Sequence, residues 1–156
     1  MPNVRDWLPP LRAGRQAAGR AVLGWSEDPG APRICRVAGA PGSGKTHLVT
    51  WPATAATTLG APAGHRPAAL LPGAGVSLDA AVWLLAEQLF LGSRTPAELL
   101  AELGRDARPR LILLWDLDRA AELVAVVREL VAPLLALPHL RIGLWTEQAR
   151  RVLNAY

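Results

Sequence analysis

Gly39-Ala40-Pro41-Gly42-Ser43-Gly44-Lys45-Thr46, entered from the apolar run Arg33–Ala38 (RICRVA), is the stretch on which the fold turns. It satisfies the pattern G-x-x-x-x-G-K-[ST] at every fixed position. Its glycines allow a tight backbone turn whose amides point inward. Together with the positive end of the helix that follows, they form an anion nest. The Lys45 ammonium suits the β- and γ-phosphates of a nucleotide. The Thr46 hydroxyl suits Mg²⁺, an ion that dehydrates reluctantly and takes few protein ligands. At this composition, chance produces the pattern on the order of once in a thousand chains. Lys45 is also the only lysine among 17 basic residues. A chain that otherwise uses arginine keeps the compact, flexible ammonium at the phosphate position.

Outward from the loop, short strand-like runs alternate with longer helical ones, which argues for α/β with a mostly parallel sheet. Gly14–Trp25 reads as an amphipathic helix and Ser26–Pro32 as a turn. Lys45–Leu59 is the helix opened by the loop, kinked or ended early by Pro52. Pro67–Leu71 is a second strand. Ser77 caps a helix to about Leu91. Thr95-Pro96-Ala97-Glu98 is a capping box whose helix stops at Gly104. Leu111–Trp115 (LILLW) is apolar throughout, as a strand buried on both faces would be. Asp118 caps a helix to about Leu137, bent at Pro133. Arg141–Trp145 (RIGLW) is a fourth strand, and the tail beyond it has a helical pattern. Trp25 and Trp83 fall on apolar helical faces and are expected in the core. Trp115 and Trp145 end neighbouring strands beside the ligand crevice expected at the strands' carboxyl ends.

The 156 residues fit one domain, with 1–32 as N-terminal helix and loop and 33–156 as the α/β core. The net charge of +4 is spread over scattered arginines, which argues against nucleic acid as a partner. The longest apolar stretch, Leu78–Leu91, is interrupted by Asp79 and Glu87, so no membrane span is expected. The single cysteine, Cys35, excludes an internal disulfide and reads as a small core residue in a reducing, cytoplasmic setting. His47, His65 and His139 show no metal-ligand spacing. His47 follows the loop threonine; it is either a phosphate neighbour or a helix-surface residue. Ser43 has no nearby histidine that would make it a nucleophile.

A nucleotide-hydrolysing site needs a carboxylate at the end of a neighbouring strand. Leu111–Ala120 (LILLWDLDRA) supplies Asp116 and Asp118. The bare reading makes Asp116 the Mg²⁺ residue and Asp118 a helix cap or supporting acid. The competing reading makes both of them N-caps.

At this point the chain resembles the NTPase module of bacterial STAND proteins, the NACHT-like signalling ATPases. The resemblance is carried by Gly14-Arg15 with the helix ending at Trp25, the phosphate loop, Gly75–Leu91, Thr95–Leu103, Trp115–Ala120 (WDLDRA) and Val127–Thr146. It implies the three-layer P-loop NTPase fold with strand order 1-4-3-2, incomplete at the C-terminus because a fifth strand and helical lid would follow. It implies ATP or another NTP with Mg²⁺ as cofactors, and a segment at Gly14 and Arg15 lying against the adenine. It also implies a protein partner or effector domain, with self-association as a further expectation. Two positions depart from the family pattern. Trp115 stands where the metal aspartate belongs, and Asp116 falls one place later. Because side chains alternate along a strand, Asp116 can replace that aspartate only if the strand ends early. Thr146-Glu147 stands where threonine-arginine is usual, with Arg150 and Arg151 one helical turn further on. Nucleotide binding with slow or absent hydrolysis is therefore expected. The competing functions are a non-enzymatic interaction module and a small P-loop kinase with Arg105, Arg108 and Arg110 as phosphate clamps. A GTPase is disfavoured because no N-K-x-D occurs.

Overall fold

A computed structural model describes residues 21–22, 24–26, 28–38 and 67–146. Four parallel strands form one sheet: β1 Ile34–Ala38, β2 Pro67–Pro72, β3 Arg110–Trp115 and β4 Leu140–Thr146. Their order is β1-β4-β3-β2, so β4 lies between the strand that enters the phosphate loop and the strand that ends in the acidic block. The register is continuous across the centre: Val37 pairs with Trp145, and Trp145 with Trp115.

The connections between strands supply helices α1, Leu78–Gln88, and α2, Pro96–Arg105. A third helix, α3, spans residues 123–136 as α-helical Leu123–Ala125, π-helical Val126–Val131 and α-helical Ala132–Ala136. The backbone stays right-handed helical through both junctions. Pro133 has no N–H to give the carbonyl four residues back. The widened π turns lie directly before it.

The sheet has two different faces because β3 is apolar throughout. Ile112 and Leu114 face the main core with Leu71 and Ile142, covered by Val82 and Leu85 of α1, Leu99 and Leu103 of α2, and Val127 and Leu130 of α3. Leu111 and Leu113 face a second cluster with Val22 and Trp145, against which Trp25, Leu70 and Trp115 pack. Each buried leucine or isoleucine contributes roughly 1.5–3 kcal/mol. Burial of LILLW on both faces is as its composition implies.

Gly143 sits mid-strand because of its neighbour two residues on. A Cβ there would lie 2.2 Å from Cζ3 of Trp145 and 2.8 Å from Cδ2 of Leu113. The fully buried indole of Trp145 therefore lies back over the bare backbone of Gly143. At the β2 edge, the Gln88 amide takes the place of a neighbouring strand. Its Oε1 accepts from Leu70 N at 2.8 Å and its Nε2 donates to Leu70 O at 2.7 Å. Unpaired edge groups of this kind otherwise invite another chain.

Helix ends follow local chemistry closely. Ser77 Oγ accepts from Ala80 N, and Glu122 Oε2 accepts from Leu78 N at 2.7 Å, so two oxygens cap α1. The Thr95–Glu98 capping box forms in both directions, at 3.2 Å each way. Its helix runs through Gly104 to Arg105.

Three expectations need correction. First, α1 stops at Gln88, short of Leu91. Leu91 N donates to Ala86 O and Phe90 N to Glu87 O, a Schellman closure with Phe90 at φ 57°. Left-handed backbone costs a bulky residue roughly 1–2 kcal/mol. Second, Trp83 is 54% exposed and not core. Residues 80–86 are apolar nearly all round, so periodicity leaves the buried face open; packing selects Ala81, Val82, Leu85 and Ala86. Third, Asp118 caps no helix. It lies inside a 3₁₀ turn, Leu117–Arg119, and α3 begins only at Leu123.

No helix among the described residues is long and apolar enough to cross a membrane. Gly143→Ala is expected to destabilise the fold by about 1–3 kcal/mol, because neither the buried indole nor Leu113 can withdraw. Urea denaturation followed by tryptophan fluorescence measures this.

Candidate functional site

The carboxyl ends of β1 and β4 finish level, and β3 ends one residue earlier. Ala38 is in register with Thr146, and Trp115 with Trp145. Ala38 leads directly into Gly39. Gly39, Ala40, Pro41, Gly42, Ser43, Gly44, Lys45, Thr46 and His47 lie outside the described residues, as do Gly14 and Arg15 and the tail from Glu147. The structure thus describes the acidic turn after β3 and the strand that leads into residues 39–46.

Asp116 is the first residue beyond β3. Its backbone turns left-handed, φ 53° and ψ 30°, a conformation that aspartate tolerates better than most residues. Its N–H donates to Trp145 O at 2.9 Å, and its carbonyl accepts from Arg119 N at 3.0 Å. The strand therefore ends at Trp115, and strict alternation of faces does not govern Asp116. That is the condition the sequence set for Asp116 to replace the missing aspartate. At standard strand spacing, Asp116 lies two strands, or about 10 Å, from the end of β1.

Trp115 is half-buried against the cluster of Trp145 and Leu113. An indole fitted to an apolar cluster thus occupies the place where the resemblance puts a carboxylate. Asp118 projects from the 3₁₀ turn, and its Oδ1 is buried without a hydrogen-bond partner. An orphaned carboxylate oxygen is rare. It fits a metal-bound water or another donor arriving with a ligand. The acidic turn therefore has oxygen donors of the kind Mg²⁺ takes, and two aspartates are enough for an ion that keeps several waters. Among the described residues no group of three or more His, Cys, Asp or Glu side chains gathers as a larger metal site.

The sequence reading missed the partner of this turn. Gly73-Ala74-Gly75, just after β2, runs along the acidic block. Gly73 N donates to Trp115 O at 2.7 Å, Gly75 N to Arg119 O at 2.9 Å, and Ala121 N to Val76 O at 3.0 Å. A Cβ on Gly73 would lie 2.7 Å from the Leu117 backbone, so glycine is required there. Two glycines following a short apolar run were the available signal.

On the second face, Trp25 Nε1 donates to Pro32 O at 2.5 Å. The Arg141 guanidinium lies 5.5 Å from the Trp25 ring centroid and donates to Trp25 O. Arg141 thereby ties the helical residues 24–26 to β4. Cys35 is half-buried, and burial pushes its thiol up, as suits a packing residue.

The arginine cluster lies elsewhere. Arg110 opens β3, roughly 17 Å of strand away from Asp116. Asp106 pairs with Arg108 at 2.5 Å and with Arg110 at 2.9 Å. Asp106 thus pairs with two of the three arginines proposed as phosphate clamps, at the end of β3 opposite to Asp116. Comparison with known proteins finds no family model, no curated protein and no solved structure that matches the chain.

Hydrogen bonding from Arg108, and then its charge and that of Arg110, hold the Asp106 carboxyl down from 3.8 to about 2. A lowered folded-state pKa stabilises the protein above the unfolded value, and the gain is lost as pH falls through the folded one. The stability difference between the wild type and Asp106→Asn is therefore expected to be constant at neutral pH. It should shrink below 3.8 and vanish near 2. Urea midpoints measured across that range test this.

Proposed function

We propose that the chain binds ATP, or a close relative, with Mg²⁺ through residues 39–46, and acts as the nucleotide-binding module of a STAND-like signalling switch with slow or absent hydrolysis. The observation that carries the reading is the complete phosphate-loop sequence beginning one residue after β1, in a sheet of order β1-β4-β3-β2. The loop amides and Lys45 hold the phosphates, since they need only backbone shape and one cation. Thr46 and Asp116 would hold Mg²⁺ through their oxygens, with Asp118 as a supporting acid. Mg²⁺ contributes neutralisation of the phosphate charge. The resemblance puts Gly14 and Arg15 on the adenine side.

Binding and turnover separate here for a chemical reason. Hydrolysis also requires charge compensation at the transition state and an oriented water. The half-buried Trp115 indole replaces the expected metal carboxylate, and Thr146-Glu147 replaces threonine-arginine. The same substitution favours a second reading, a module that holds nucleotide purely as a structural or interaction element. In both readings the partner is a protein or an attached effector domain, in a reducing cytoplasmic setting.

Lys45→Ala is expected to weaken binding of a fluorescent ATP analogue by roughly 1.5–3 kcal/mol, about ten- to a hundredfold. Asp116→Asn is expected to lower affinity with Mg²⁺ and leave it unchanged in EDTA. Unchanged affinity in Lys45→Ala contradicts the proposal.

A further inference from the structure

We infer, given the nucleotide site proposed for this chain, that Gly73 and Gly75 are positioning residues. They set how tightly the site takes Mg²⁺ by holding the backbone that carries Asp116 and Asp118. Carboxylates that hold a metal are ordinarily oriented by neighbouring groups that bond them in turn. The described residues show no such partner for this pair. Asp116 makes no side-chain capping bond, and Oδ1 of Asp118 is buried without a hydrogen bond. The backbone of the turn therefore decides where both carboxylates stand.

That backbone is held from outside by the loop after β2. The Gly73 N–H donates to the carbonyl of Trp115, immediately before Asp116, at 2.7 Å. The Gly75 N–H donates to the carbonyl of Arg119, immediately after Asp118, at 2.9 Å. The two glycines thus grip the residues on either side of the aspartates. Between the aspartates, Leu117 is fully buried, and its backbone N and Cα would lie 2.7 Å from a Cβ on Gly73. Any side chain at 73 therefore pushes on the residue that separates Asp116 from Asp118. Gly75 is needed for a different reason. Its φ is +71°, and a Cβ there would meet nothing, so conformation and not crowding selects glycine. The grip continues toward α1, where the Ala121 N–H donates to Val76 O and Glu122 Oε2 caps Leu78 N.

Binding of a fluorescent ATP analogue to the full chain, titrated with Mg²⁺ and repeated in EDTA, tests this. Gly75→Val is the main variant, because a β-branched residue resists positive φ without meeting a neighbour. It is expected to raise the Mg²⁺ concentration for half-maximal tightening about ten- to a hundredfold, as loss of a metal's outer partners does. Affinity in EDTA, which depends on the phosphate loop alone, should not move. Gly75→Asn, which tolerates left-handed backbone, is expected to keep the wild-type Mg²⁺ dependence. Leu99→Ala truncates the core under α2; it should lower the melting temperature and leave that dependence alone. A second readout needs no ligand: in Gly75→Val the amides of Gly73 and Ala121 should exchange with solvent faster than in the wild type. Gly75→Val with wild-type Mg²⁺ dependence or unchanged exchange overturns the inference. So does a Gly75→Asn as impaired as Gly75→Val, or a Leu99→Ala that shifts the Mg²⁺ dependence equally. A wild type that binds the analogue equally with and without Mg²⁺ overturns it while the phosphate-loop reading stands. A wild type that binds in neither condition overturns both.

Discussion

The indole of Trp145 lying on Gly143 is the contact around which the sheet is arranged. β4 is the inner strand that touches both β1 and β3, so its register sets theirs. Glycine at 143 lets a full indole fit beneath the second face without lifting the strand. Trp145 also fixes the acidic turn through its carbonyl, which receives the Asp116 N–H. The strand that enters the phosphate loop and the turn that carries the aspartates are thus aligned by one residue between them. Neither β1 nor β3 contacts the other directly.

The proposed nucleotide site has unequal halves. The loop half is complete in sequence, and polyphosphate binding requires no more than amides and one ammonium. The acidic half departs from the pattern that the resemblance implies. A large aromatic ends β3, and the first carboxylate comes from a left-handed turn braced by Gly73 and Gly75. The proposed separation of binding from turnover rests on that asymmetry.

Much of this architecture was legible in the residues. Burial of LILLW on both faces, the Thr95–Glu98 box and the Ser77 cap rest on local chemistry that tertiary structure did not override. The strand order came from the resemblance, because periodicity does not specify which strands are neighbours. Trp83 was misplaced because α1 is apolar on almost every side. Asp118 was misread as a cap because a 3₁₀ turn and three further residues intervene before α3, and that turn is held by the loop after β2. That Asp116 follows a buried apolar strand was readable; its left-handed backbone, with its N–H on Trp145 O and its carbonyl on Arg119 N, was not.

The central claim is that this chain holds a nucleoside triphosphate. Calorimetric titration of Mg-ATP into the protein, paired with a melting curve at saturating ligand, measures it directly. Binding to the folded state alone must raise stability in proportion to the logarithm of ligand concentration over Kd. The account expects one exothermic site and a rise in melting temperature that grows with ATP. No heat and an unmoved melting curve at millimolar ATP would contradict it.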